Sequence, residues 1–177
     1  MQDIYSEPKI KYLIADEAVY EGTTYSELVL KKSGNFVSQA SQHTVDYIVD
    51  DSLEDGQYYL SMFNNNWGEN YSRRDFPWHK YPGVGNFRAG EKSMYYKYLV
   101  DEMAGSYKLV EAFDVPYSSV ESSTYNVGDN RIVASWLAYC FGEYDSDGEL
   151  IRKFGLPVNG NGPYRVFKYD FYGVWFE

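Results

Sequence analysis

Residues 108–116 read KLVEAFDVP, and residues 149–157 read ELIRKFGLP. Both follow one pattern: charged, Leu, branched apolar, charged, any, Phe, any, apolar, Pro, at a separation of 41 residues. Ahead of each lies an alternating apolar segment introduced by a turn, DGQYYLSMF from Asp55 and GDNRIVASW from Gly128. Alternation with a period of two marks a half-buried strand. Repeats of about 40–45 residues, each built from about four short strands, mark propeller blades. The echo therefore predicts an all-β fold, a partial β-propeller of about two four-stranded blades.

Working outward, residues 1–42 read as part of a preceding blade and 43–117 as a full blade with strands near 44–49, 57–63, 93–101 and 107–114. Its segment 65–92 is a long insertion rich in Gly, Pro and Asn, and loops of that length are usually functional or mobile. Residues 118–177 hold a second blade, SSVESSTY, NRIVASWL, CFGEYDSDG and ELIRKFGL, and a closing strand, YRVFKYDFYGVWF. The DSDG in it is a hairpin turn, since Asp-Gly supplies the positive φ that tight turns need. TTYSELVLKK is open between helix and strand: Thr24 with Glu27 makes a capping-box pattern. EKSMYYKYLVDEM carries apolar residues at helical spacing, but the repeat register makes it a strand. Two blades do not close a ring. The expectation is a single domain that is the C-terminal piece of a larger propeller, paired with missing blades or completed as a homo-oligomer.

The net charge of −10 argues against nucleic acid, whose phosphates call for clustered Lys and Arg, and against anionic membrane surfaces. No apolar run approaches the ~20 residues of a spanning helix, and the start, MQDIYSEPKIKY, lacks the basic-then-apolar order of a signal peptide. One cysteine, Cys140, excludes an internal disulfide and reads as a small buried hydrophobe. Two histidines 36 apart with that cysteine form no metal-ligand spacing. DSDG lacks the remaining ligands of a calcium loop, and YPGVGN lacks the Lys and helix of a phosphate loop. Twenty tyrosines suit pleated sheets with amphipathic faces; stacking of a flat ring ligand is the sharper reading.

One stretch carries more than fold. QHTVDYIVDD…GQYYLSMFNNNWG, followed by YYKYLVDEMAGSYKLVEAFDVPYSSV, FGEYDSDGELIRKF and GPYRVFKYDFYGVWF, resembles the C-terminal region of bacterial arylsulfate sulfotransferases over about residues 8–177. The resemblance implies an exported or periplasmic propeller enzyme that moves a sulfuryl group from an aryl sulfate to an acceptor phenol. It implies no nucleotide sulfate donor and no cofactor. It also implies that His43, flanked by Gln42 and Thr44, takes the sulfuryl group as a covalent intermediate. An imidazole is a plausible nucleophile at neutral pH, and dividing the transfer into two steps gives ping-pong kinetics. The family's acidic residue after the strand Phe is Asn64 here.

Asn64, Asn65, Trp67, Tyr71 and Arg88 are the candidates to bind substrate beside His43, with Trp78 as a further ring for an aromatic subsite. Each has a plainer role: the asparagines as turn formers, Arg73 and Arg74 as a solvated basic loop, FPWHKYP as a packed aromatic loop holding His79. The family's sulfate-clamping histidines, asparagine and arginine belong to earlier blades, so the chain alone is expected to be weak or inactive. The alternative is a non-catalytic module that binds or assembles through its aromatic-rich loop.

Overall fold

The computed structural model describes residues 9–68, 74–84, 92–158 and 160–169. Two antiparallel meanders account for most of it. The first runs through β2 (Gln42–Ile48), β3 (Gln57–Asn64), β4 (Ser93–Asp101) and β5 (Ser106–Val115). A two-residue strand, β1 (Lys31–Lys32), adds to it in parallel beyond β5, giving the order β1-β5-β4-β3-β2. The second runs through β6 (Ser123–Val127), β7 (Asn130–Ser135), β8 (Cys140–Tyr144) and β9 (Leu150–Gly155), in sequence order. The chain is all-β, as its alternation predicts. The echoed segments fall on β5 and β9, the last strand of each meander. The turn-led segments fall on β3 and β7, the second strand of each.

Sheet one carries an apolar cluster on each face, and the period of two, shifted by an irregularity in β5 opposite Lys97 and Tyr98, sorts its aromatics between them. Tyr58, Met62, Tyr96, Tyr98, Val100 and Tyr107 pack with Leu30 on one face, under Tyr12, Ile14 and Phe36. Burying a tyrosine requires a partner for its hydroxyl; Tyr58 reaches Glu102 at 3.5 Å, and the N-terminal segment supplies the partner for the other three. Tyr96 donates to the Val37 carbonyl at 3.0 Å, Tyr98 to Gln39 Oε1 at 2.8 Å and Tyr107 to the Ala15 carbonyl at 2.8 Å. Burial pushes the Tyr107 hydroxyl up to about 12 and Tyr98 higher still. These tyrosines thus act as struts that fasten residues 12–39 to the sheet.

The opposite face meets sheet two through Phe63, Tyr95, Phe113, Val115, Val133 and Tyr144. Phe113 stacks on Tyr95 at 4.9 Å and leans on Tyr144 at 5.2 Å. Around this apolar seam sit polar ties. Asn126 accepts from the Tyr95 hydroxyl at 2.9 Å and donates to Ser61 Oγ at 2.7 Å. Arg131 of β7 grips Glu111 of β5 with two parallel bonds of 3.1 and 2.9 Å while lying over the Tyr95 ring. Burial draws the Arg131 guanidinium down, and the bonds to Glu111 with its neighbour Tyr95 raise it by more. Two-pronged geometry of this kind fixes orientation as well as charge.

Several expectations change. TTYSELVLKK forms neither an α-helix nor a long strand. A single 3₁₀ turn, Ser26–Leu28, leads into a parallel bridge between Val29 and Leu13. Thr23, not Thr24, closes the local turn, donating to the Tyr20 carbonyl and accepting from Tyr25 N. Leu30 is drawn into the core, and that burial outweighs the helical preference. EKSMYYKYLVDEM is strand β4, so pairing with β3 and β5 overrides its helical spacing. The segment SSVESSTY becomes a strand only from Ser123. No strand covers residues 164–169 of the expected closing strand; residues 170–177 lie outside the described residues.

In DSDG, Asp145 Oδ1 accepts from Asp147 N and Glu149 N at 3.0 and 2.9 Å, and Gly148 sits at φ +80°. A Cβ there would lie 2.6 Å from the Phe113 ring, whereas one at Gly105 (φ +61°) would meet nothing within 4 Å. Gly105→Ala should cost only left-handed strain of about 1 kcal/mol. Gly148→Ala should cost clearly more in urea denaturation, because it also displaces a ring of the seam. Equal losses for the two would contradict this packing.

Candidate functional site

His43 lies near the start of β2, opposite Phe63. Between His43 and Asp46, β2 advances three residues while β3 advances two, which places a β-bulge at Thr44 and Val45. Thr44 takes φ +50° there. A bulge breaks strict alternation and re-aims the side chains beside it, so the pleat alone does not set the direction of His43.

Asn65 sets its immediate partner. This residue directly follows β3 and is fully buried. Its Nδ2 donates to the Ser118 carbonyl at 2.7 Å and to the Glu121 carbonyl at 3.3 Å. Carbonyl oxygens only accept, so the amide orientation is determined and Oδ1 is the atom that meets His43 Nδ1, at 2.7 Å. An amide oxygen cannot donate. Nδ1 therefore carries the proton, and in the neutral ring the lone pair is on Nε2. The same amide thus joins β2, the end of β3 and the 118–121 turn.

A serine knot holds that turn. Ser93 Oγ donates toward the carbonyls of Asn65 and Ser118 and accepts from Ser118 N at 3.0 Å. Ser118 Oγ donates to the Val120 carbonyl at 2.6 Å and accepts from Leu137 N. Ser122 Oγ accepts from Trp136 N at 3.0 Å. Backbone strain gathers here. Ser41, Thr44, Asn66, Glu121 and Ser122 have positive φ, and Tyr139 is the sixth non-glycine residue to do so among the described residues. Each such residue costs on the order of 1–3 kcal/mol and tends to occur at functional sites.

The remaining candidates separate by environment. Asn64 is sealed: Oδ1 accepts from Ala40 N and Asn66 N, and Nδ2 donates to Asn66 Oδ1. Asn64 and Asn66 are thus turn formers, and Asn65 is the member of the triplet that reaches His43. Gln42 is exposed, and Thr44 donates to the Ser122 carbonyl at 3.3 Å. Trp67 accepts at its carbonyl from Ser41, and its buried indole N–H has no partner among the described residues. Phe76 packs against Trp78 and stacks on Tyr81 at 5.2 Å, so FPWHKYP is a packed aromatic loop with His79 exposed. Arg74 is exposed, and Tyr71, Arg73 and Arg88 lie outside the described residues. Sequence reasoning missed Ser93, Ser118 and Ser122. For Ser118 and Ser122 the available signal was the serine-rich run SSVESS at 118–123, read there as the start of a strand; Ser93, at the head of β4, carried no local signal.

Asn65→Ala should remove the amide donor to the Ser118 and Glu121 carbonyls and the acceptor of the His43 imidazole. A loss of about 1–3 kcal/mol is expected, read as a lowered urea midpoint. An unchanged midpoint would show that the amide does not clamp the three segments.

Comparison with curated proteins yields no match. The family model described as Arylsulfotransferase (ASST) matches residues 2–152, which include His43, Asn65, the serine knot and the first half of β9. With most of its length matched, the chain belongs to the arylsulfotransferase family.

Proposed function

We propose that this chain is the part of an aryl sulfotransferase that carries the sulfuryl-accepting histidine, His43. The carrying observation is the hydrogen bond from His43 Nδ1 to Asn65 Oδ1, which leaves Nε2 bare. In the proposed first half-reaction the Nε2 lone pair attacks sulfur of an aryl sulfate. The N–S bond forms, the S–O(aryl) bond breaks, and the phenolate departs with the bonding pair. The imidazole then bears a positive charge, and its Nδ1–H strengthens its bond to Asn65. In the second half-reaction an acceptor phenol oxygen attacks sulfur, the N–S pair returns to Nε2, and the phenol proton passes to a base. A neutral amide partner suits both halves. It steadies the charged ring without taking its proton, so the sulfuryl group remains a good group to transfer.

We also infer that the two meanders are adjoining propeller blades, with 118–177 the last one; the expected earlier blade at 1–42 gives way, because β1 and the strand start at Gln42 belong to sheet one. Several features favour this arrangement. The echoed strands occupy equivalent places in each sheet, and the first strands, β2 and β6, are neighbours across Thr44 and Ser122. The exposed β9, with Leu150, Ile151 and Phe154 open, suits further pairing. The family resemblance assigns the clamping of the sulfuryl oxygens to other blades, so the first half-reaction is the step to look for in this chain. The alternative of a purely binding module through the aromatic loop gains less support, because Phe76, Trp78 and Tyr81 are engaged with one another.

Incubation with 4-nitrophenyl sulfate should add about 80 Da, one sulfuryl group, to the intact mass of the wild type and nothing to His43→Ala. Asn65→Ala should form the adduct about 10–100-fold more slowly, the scale seen when the partner orienting a metal-bound histidine is removed. An adduct that persists in His43→Ala would overturn the assignment.

A further inference from the structure

The two sheets repeat each other in register as well as in sequence. In sheet one Tyr95 pairs with Phe113 and Lys97 with Glu111, and the ladder then slips by one residue at Val110. In sheet two Phe141 pairs with Phe154 and Glu143 with Arg152, and the ladder slips at Ile151. Val110 and Ile151 hold the same place in the 41-residue echo. The stacked rings recur with it: Tyr95 and Phe113 lie 4.9 Å apart at 17°, Phe141 and Phe154 4.7 Å apart at 15°. Arg131, Val133 and Tyr144 of sheet two face sheet one, so strand alternation turns Ile132, Phe141 and Glu143 outward. The face of sheet one that meets sheet two thus has a counterpart on the outer face of sheet two.

What covers the two faces differs. On sheet one, Phe113 lies against Tyr144, and Glu111 is gripped by Arg131. On sheet two, Phe154 is 42 % exposed beside a groove of about 290 Å³ that Ile132, Phe141 and Arg152 also line. Glu143 already accepts from Asn130 and Lys168, each at 2.7 Å, whereas exposed Arg152 has no hydrogen bond or ion pair among the described residues. The charge at the grip is also reversed, because Arg152 stands where sheet one has Glu111. A second copy of this chain does not supply the complement. The registers put Leu60 in the place of Arg131, on a face that residues 12–39 already cover.

From the repeat of the two sheets, and independently of sulfuryl transfer, we propose that the outer face of sheet two docks a β-sheet of a different chain. That sheet presents a carboxylate to Arg152, in the place Arg131 takes against Glu111, and an apolar ring to Phe154, in the place of Tyr144. The ring supplies the buried anchor, and the two-pronged Arg–carboxylate contact fixes the register.

The probe is a synthetic hairpin of residues 130–144, the β7–β8 pair that covers sheet one, carrying Arg131→Glu. Closing it into a ring through an Asn-Gly turn keeps its strands paired, with residues 131, 133 and 144 on one face. Added to the full chain, it should give saturable shifts of the Phe141 and Phe154 backbone amides. The same ring without the substitution should bind at least about fivefold more weakly, because Arg131 would then face Arg152. Arg152→Glu in the full chain should reverse that order, and its own amide spectrum reports whether the fold is intact. Absence of saturable shifts, equal binding of the two hairpins, or an order unchanged by Arg152→Glu would each overturn the docking face. Dimers of the chain alone that Arg152→Glu abolishes would assign the face to a second copy and overturn it too. An adduct on His43 without hairpin binding would sink this proposal alone. Hairpin binding without an adduct would sink the sulfuryl-transfer reading alone.

Discussion

The Asn65 carboxamide is where three separate pieces of chain meet, and the geometry around His43 depends on it. Its nitrogen reaches two carbonyls of the 118–121 turn, which fixes which end of the amide faces the imidazole. Its oxygen then meets Nδ1 and dictates the tautomer. Neither half would hold without burial, because an exposed amide would exchange these partners for water at little cost. The buried Ser93 and Ser118 hydroxyls supply that enclosure and brace the turn.

The strained backbone around the site fits the same constraint. Positive φ at Ser41 and Thr44 brackets His43, and positive φ at Asn66, Glu121 and Ser122 shapes the two turns that approach it. A regular ladder would have been cheaper, and the inter-sheet seam provides what holds the departure in place. Phe63, one residue before the asparagine triplet, is anchored in the apolar cluster between the sheets, and Arg131 with Glu111 locks the sheets together near the Tyr95 ring. Rigid packing below thus supports an irregular, polar rim above, the arrangement by which folds carry sites.

The strands were legible because their signals were local and repeated. The segments expected near 57–63 and 93–101 emerge as Gln57–Asn64 and Ser93–Asp101, and the 41-residue echo identified equivalent strands of two sheets. Cys140 is buried, as a lone small hydrophobe would be. The site was only partly legible. Resemblance pointed to His43 and composition to the asparagines, but nothing local tells Asn65, which reaches the histidine, from Asn64, which caps its own turn. That distinction is made by Ser118 and Glu121, more than fifty residues away in the chain. The 118–122 turn was missed for the related reason that five residues needing long-range partners look like a weak strand. Tyr96, Tyr98 and Tyr107 lie in strands, as the sheet reading of the tyrosines expects, yet their role in fastening residues 12–39 required knowing where the hydroxyls go.

In the proposed reaction His43 is a preset nucleophile, with the proton on one nitrogen and the lone pair on the other before any substrate arrives. Long-range ¹H–¹⁵N correlation of the imidazole nitrogens, at a pH where the ring is neutral, reads this directly. The account predicts a protonated Nδ1 and a bare Nε2 for His43, with the preference lost in Asn65→Ala. A wild-type ring protonated at Nε2 would contradict it, because the nitrogen assigned to attack sulfur would then have no lone pair to offer.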